Sequence, residues 1–378
     1  MGRQALLEEF KIVLGSVKAR IFPYVRRKPE RICWRDYDAA QRNEYPDVID
    51  LIARLIDIAS EGIGHELVGF DATGKICLSK PDLAKLILAQ QYDGRCNRIS
   101  LGYMGLIKQH LHIHDSFAPS YKTLERAYSD PDVMMLLNDA FFITQQPVSN
   151  MEHNFSVDGT CFGTTIKVNW ESSRDEILRL NNRIGDDDGK KKERTKKMFA
   201  KTILAAGTTF KIISSFAIAK SPFGNESPYL KPLLNQIAEL YTQVAVLSAD
   251  AAFLSRENCN AINEINAIPR IFPKDSISLR AKGSSAWRKM LMEFVSDTQR
   301  WLEFYHHRSI METINSTIKR TQPYPIRKRL VVRKATEILA RICVYNMRQL
   351  VYLKYTKGIE LRFKPISQQL SLLNYITP

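Results

Sequence analysis

The sequence has no long uninterrupted hydrophobic run, which argues against an integral membrane protein. No stretch approaches the ~20 uncharged apolar residues that a membrane-spanning helix needs, because charged residues interrupt the most apolar segments, 49–59 and 208–219. Glu8 and Glu9 precede any segment that could form the apolar core of a signal peptide, so we expect no export. The sequence therefore predicts a cytoplasmic protein without a membrane partner.

The sequence also lacks paired cysteines and has fewer acidic than basic residues. Its six cysteines include no Cys-x-x-Cys pair, so neither a disulfide framework nor a cysteine-rich zinc site is indicated. With 55 Lys and Arg against 40 Asp and Glu, the net charge is +15, which predicts an anionic partner such as nucleic acid. Residues 313–378 hold 13 Lys and Arg against two Glu. We expect a phosphate-binding surface there, including 327–329 and 333–334.

The pattern of predicted elements divides the chain into four parts. Residues 1–74 are partly helical, 75–150 read as an all-α region, and 151–355 mix short β-rich runs with helices. A tail follows at 356–378. The stretch 171–197 changes abruptly from acidic to basic and is interpreted as a charged insertion.

A short helix in the all-α region is a candidate for DNA recognition. Ser120 is a good N-cap, and Leu124 would face inward. A helix-turn-helix would place the outward side chains against DNA; the alternative is an ordinary helix of a bundle. The outward side chains are Tyr121, Lys122, Thr123 and Arg126.

Three acidic residues stand out in the β-rich part of the chain. Asp158 lies on the first predicted strand, and Asp250 ends a later one. The carboxyl ends of strands in open sheets are where ligands usually bind. Asp-Gly is also a common hairpin turn, and an Asp before a helix is a common cap, so neither position is decisive. Glu312 lies on a predicted helix that also carries Tyr305, Arg308 and Lys319, and these four side chains fall within a ~60° stripe.

The spacing Tyr305-x2-Arg308-x3-Glu312-x6-Lys319 resembles the signature of prokaryotic insertion-sequence transposases of the DDE class. Residues 157–160 and 247–258 are similar to the surroundings of the first two catalytic aspartates in that family. Lys201 and Lys274 also resemble positions of that family's motifs, and Arg320 would extend the basic surface.

The resemblance implies an α/β, ribonuclease-H-like mixed five-stranded sheet with flanking helices, preceded by the helical DNA-binding region. It implies that Asp158, Asp250 and Glu312 are catalytic and bind two divalent metal ions, Mg²⁺ or Mn²⁺. It further implies DNA contacts by Tyr305 and the basic residues, and a homodimer that holds two terminal inverted repeats and target DNA near the nucleoid. Two alternatives remain: a stand-alone nuclease of the same fold, and a non-catalytic DNA-binding protein derived from a transposase.

Overall fold

A computed structural model describes residues 3–25, 31–64, 66, 69–70, 73–74, 76–113, 120–164, 199–221 and 223–366. The predicted charged insertion, 171–197, lies outside these residues. The α-helices are α1 (Arg3–Lys18), α2 (Trp34–Ile63), α3 (Lys80–Asp93), α4 (Asn97–Ile107), α5 (Tyr121–Ala127), α6 (Pro131–Ile143), α7 (Leu230–Leu240), α8 (Arg256–Glu264), α9 (Ser285–Ser296), α10 (Thr298–Tyr305), α11 (Ser309–Thr321) and α12 (Val331–Lys357). The strands are β1 (Gly69–Phe70), β2 (Ile76–Cys77), β3 (Asn154–Gly163), β4 (Phe199–Gly207), β5 (Ile213–Ile218), β6 (Val246–Ala249) and β7 (Ile268–Ile271).

Five of the strands form one mixed sheet in the order β5-β4-β3-β6-β7. The strand β3 pairs antiparallel with β4, and β4 pairs antiparallel with β5, as in a meander. On its other side β3 pairs parallel with β6, which pairs parallel with β7. The α/β class, the mixed five-stranded sheet and the preceding helical region are therefore confirmed.

Helices cover both faces of this sheet. Because side chains alternate along a strand, neighbouring residues of β4 enter different cores. Ile203 packs with α1 and α7–α10 on one face. Leu204 packs with α2–α6, α11 and α12 on the other. The central strand β3 is thus buried between two helical layers, which hold its polar side chains in fixed positions.

The long helix α12 joins the N-terminal helical region to the sheet. Asn346 on α12 donates hydrogen bonds from Nδ2 to Thr144 Oγ1 at 3.0 Å and to the Ile213 carbonyl at 2.9 Å. Its Oδ1 accepts the Ile213 amide at 2.9 Å. The described residues of 75–150 and of 151–355, which were predicted as separate parts, therefore share one continuous core on this face.

A tight hairpin between β4 and β5 depends on Gly207. A Cβ at this position would lie 2.4 Å from Glu152 Oε2. That buried carboxylate accepts the Thr209 and Phe210 amides, each at 2.9 Å, and so closes the turn. Within the described part of the chain, no helix combines the length and apolar character needed to cross a membrane.

Candidate active site

Asp158 lies on β3 in the middle of the sheet, with its carboxylate directed towards α11. Its side chain is 20% exposed, and Asn315 on α11 donates from Nδ2 to Asp158 Oδ2 at 3.3 Å. Burial raises the pKa of Asp158 to about 6; Arg308 opposes this rise, while the carboxylates of Glu226 and Asp250 add to it. Asp158 therefore lies in a place that disfavours an uncompensated negative charge.

Asp250 follows the neighbouring parallel strand. The register pairs Val157 of β3 with Ala249 of β6, so Asp158 and Asp250 are the next residues on two adjacent strands. Asp250 Oδ1 accepts a hydrogen bond from the Ala251 amide at 2.6 Å. This bond caps a 3-10 turn, Ala251–Phe253, which follows the strand and fixes the carboxylate at the carboxyl end of β6.

The sequence predicts one continuous α-helix around Glu312, but the structure interrupts it. A 3-10 turn, His306–Arg308, separates α10 from α11. Since a 3-10 helix has about three residues per turn instead of 3.6, three such residues rotate the following helix by about 60°. The predicted single stripe is therefore wrong in detail. Tyr305 lies at the end of α10 and stacks on the buried Trp301, with ring centroids 5.2 Å apart.

Arg308 connects two of the three acids. Its Nη1 lies 3.7 Å from Asp158 Oδ1, and its Nη2 donates to Glu312 Oε1 at 3.2 Å. Glu312 itself is 65% exposed on the first turn of α11. The guanidinium compensates the charge of both carboxylates, which explains why it opposes the raised pKa of Asp158.

The three acids offer the type of oxygen atom that a hard divalent cation prefers, but their side chains are too far apart to bind one together. Mg²⁺ and Mn²⁺ prefer carboxylate oxygens, which are what the three acids offer. Among the described residues, however, no three His, Cys, Asp or Glu side chains are close enough together to hold a metal ion. The guanidinium of Arg308 lies between Asp158 and Glu312. A cation shared by these two carboxylates would therefore require Arg308 to turn away.

Comparison with known proteins shows the family of this chain. Residues 154–347, more than half of the chain, match the family model described as the transposase DDE domain. The chain belongs to this transposase family. It is also similar to a probable transposase for insertion sequence element ISA1214 of Archaeoglobus fulgidus, with 25% identity over 224 residues. The similarity covers 58% of this chain and 61% of that relative, so the chain spans about six tenths of its length.

The matched DDE domain contains the sheet, the three acids and most of the predicted DNA contacts. Lys274, Lys319 and Arg320 are exposed and free of described ion pairs, so they can reach a phosphate. Lys201 is different: its Nζ lies 2.8 Å from Glu226 Oε1 and donates to the Gly224 carbonyl at 2.9 Å. A contact of Lys201 with DNA would have to compete with this ion pair.

The predicted recognition helix forms as α5, and its place in a helix-turn-helix stays a prediction. Ser120 Oγ accepts the Thr123 amide at 3.1 Å, and Leu124 is buried, as the sequence predicts. The side chains of Tyr121, Lys122 and Arg126 are exposed and that of Thr123 is half-buried. Their contact with DNA stays a prediction.

The predicted basic surface at the start of α12 is partly wrong, because several of its cations have internal partners. Lys328 is 5% exposed, and its Nζ lies 2.5 Å from Glu125 Oε2. Arg333 Nη1 lies 2.9 Å from the other oxygen of Glu125. These cations attach α12 to α5. Arg329 is exposed, so it can contribute to the predicted phosphate-binding surface.

Two polar residues near Asp158 were not predicted from the sequence. Glu226 precedes α7 and raises the pKa of Asp158; nothing in its local sequence indicated this position. Asn315 did carry a signal. It lies four residues after Met311 and three before Ile318, on the apolar side of α11, where a polar side chain is unusual.

Proposed function

We propose that this DDE-family protein is an insertion-sequence transposase that cleaves DNA strands at the ends of its element and transfers the freed 3′-OH into target DNA. One observation carries the proposal. Asp158 and Asp250 follow a paired position on adjacent parallel strands, and Arg308 connects Asp158 to Glu312. Acids brought close to one another from three separate parts of the chain favour chemistry over a purely structural role.

In this proposal Asp158, Asp250 and Glu312 are the ligands of two divalent cations, Mg²⁺ or Mn²⁺. Such cations, when bound, activate the attacking oxygen and stabilise the leaving oxygen of a phosphodiester. The three side chains supply only carboxylate oxygens, and the raised pKa of Asp158 reflects a site that favours a compensating positive charge. Glu312 is exposed, and its ion pair with Arg308 would have to break before it shared a cation with Asp158.

The basic residues around the three acids would bind the DNA backbone. Arg308 can present a two-pronged donor to a phosphate in place of the carboxylates it now contacts. Lys319 and Arg320, exposed at the end of α11, lie on the same helix as Glu312. The DNA path would therefore run along α11 from the acids towards its C-terminus.

We also propose that the protein acts as a homodimer, because transposition joins two element ends and each end needs a catalytic site. A duplex carrying the inverted repeat from the genomic flank of the gene should form a complex with two protein copies and two duplexes. The mass of the purified complex would test this. A complex of one copy with one duplex under all conditions would contradict the dimer.

The function is tested by strand cleavage and strand transfer on such a duplex in Mg²⁺. We expect the wild type to cut at the repeat boundary and to join the 3′-OH to a target plasmid. Asp158→Asn, Asp250→Asn and Glu312→Gln should each abolish both steps while leaving binding to the duplex intact. Full activity in any one variant would contradict the proposed site.

The same assay separates the alternatives. Cleavage without joining, in the presence of target DNA, would identify a stand-alone nuclease. Sequence-specific binding without cleavage, in either Mg²⁺ or Mn²⁺, would identify a non-catalytic DNA-binding protein. Both outcomes would overturn the transposase assignment.

A further inference from the structure

Asn315 is the one amide side chain that contacts a proposed catalytic acid in the described part of the chain. It lies one helical turn after Glu312 on α11 and is 9% exposed. Its Nδ2 donates to Asp158 Oδ2 at 3.3 Å. The orientation of the amide follows from chemistry, since a carboxylate oxygen accepts and only the nitrogen of the amide can donate.

The two oxygens of Asp158 have different partners, and both partners flank Glu312. Oδ1 lies 3.7 Å from Arg308, four residues before Glu312. Oδ2 accepts from Asn315, three residues after it. The carboxylate on β3 is thus held in one rotation by the same helical segment that carries the third acid.

Asn315 is poorly explained as a stabilising residue. Its Oδ1 is buried without a hydrogen-bond partner among the described groups, and an unpaired buried carbonyl oxygen disfavours the folded state. Its helical neighbours Met311, Ile314 and Ile318 are fully or almost fully buried in the hydrophobic core. An apolar side chain would suit that surrounding better. A buried polar atom without a hydrogen-bond partner, such as Asn315 Oδ1, needs a specific explanation.

We propose that Asn315 is a positioning residue that orients the Asp158 carboxylate relative to Glu312 for divalent-cation binding. The inference rests on the proposed function, because it assumes that Asp158 is a metal ligand. Groups that hydrogen-bond to a metal ligand fix its orientation, and their loss typically weakens metal affinity by about 10–100-fold. Arg308 cannot take over this task, since a cation between Asp158 and Glu312 would displace its guanidinium.

The test is Mn²⁺ affinity, measured by calorimetry on the full chain without DNA, together with thermal unfolding in EDTA. Asn315→Leu keeps the number and the branching of the side-chain heavy atoms but has no donor. We expect it to unfold at the same or a higher temperature than the wild type and to bind Mn²⁺ about 10–100-fold more weakly. The exposed neighbour provides the matched control: Ser316→Ala should change neither property.

An Mn²⁺ affinity within twofold of the wild type in a folded Asn315→Leu protein would overturn the positioning role. If the leucine does not fit and the variant is unfolded, Asn315→Ala is measured in the same way and judged by the same affinity criterion. Failure of the proposed function gives a different result. A wild type that binds Mn²⁺ but does not cut end-bearing DNA contradicts the function, while the comparison of affinities still decides the role of Asn315.

Discussion

Replacement of Asp158 by Asn should stabilise the protein although it abolishes the proposed activity. In the folded chain the pKa of Asp158 is raised from 3.8 to about 6, mainly by burial. A raised carboxyl pKa means that the folded state binds a proton more tightly than the unfolded state, so the fold becomes less stable as the pH rises from 3.8 to about 6. One pKa unit corresponds to about 1.4 kcal/mol, which gives an upper limit of about 3 kcal/mol.

The sign fixes the pH window in which the effect appears. Below pH 3.8 both states are protonated, and Asp158→Asn should unfold with about the same free energy as the wild type. The advantage of the variant should grow as the pH rises through the interval up to about 6 and stay constant above about pH 7. At pH 7.5 we expect about 1–3 kcal/mol, and at pH 5 about half of that.

The assay is urea unfolding followed by tryptophan fluorescence, in EDTA so that no cation compensates the charge. Asp250→Asn is the matched control, because Asp250 caps a 3-10 turn and Asn is an equally good cap. It should leave the free energy of unfolding almost unchanged. An Asp158→Asn variant that is less stable than the wild type at pH 7.5, or equally stable at every pH, would refute the reasoning.

Four further substitutions test the packing and the DNA surface. Lys328→Ala should lower the free energy of unfolding by about 1–3 kcal/mol, because Glu125 loses its buried cation although it keeps Arg333. The exposed Arg329→Ala should leave stability unchanged and reduce the salt dependence of DNA binding by about one counterion. Equal stability of the two variants in urea would contradict the internal role of Lys328. Gly207→Ala should also lower the urea midpoint, because its Cβ would lie 2.4 Å from Glu152 Oε2, and an unchanged midpoint would refute this close approach. Arg126→Ala on α5 should weaken binding to the inverted-repeat duplex in a gel-shift titration without a change in stability, and unaltered affinity would remove α5 from the DNA surface.

The strands and the apolar helix face could be predicted from the sequence, because they depend on residues that are close together in the chain. The strands around Asp158 and Asp250 follow from short β-rich runs, and their parallel pairing places the two acids side by side. The apolar face of α11 was predicted from its period, because Met311, Ile314 and Ile318 recur at helical spacing.

The parts that the sequence did not predict depend on contacts between distant residues. Lys328 looks like a surface cation in a basic run, but its partner Glu125 lies 203 residues away and only folding reveals the pair. The 3-10 turn at His306–Arg308 has no glycine or proline to mark it. Asn315 was visible as a polar residue on an apolar face, yet its partner Asp158 is 157 residues distant.

The central claim is that Asp158, Asp250 and Glu312 bind the catalytic cations directly. The most direct measurement replaces each acid in turn by Cys and compares cleavage of end-bearing DNA in Mg²⁺ and in Mn²⁺. A thiolate is a poor ligand for Mg²⁺ but an acceptable one for softer ions. We predict that each Cys variant is inactive in Mg²⁺ and regains activity in Mn²⁺. Equal activity of a Cys variant in both metals would contradict the assignment of that residue.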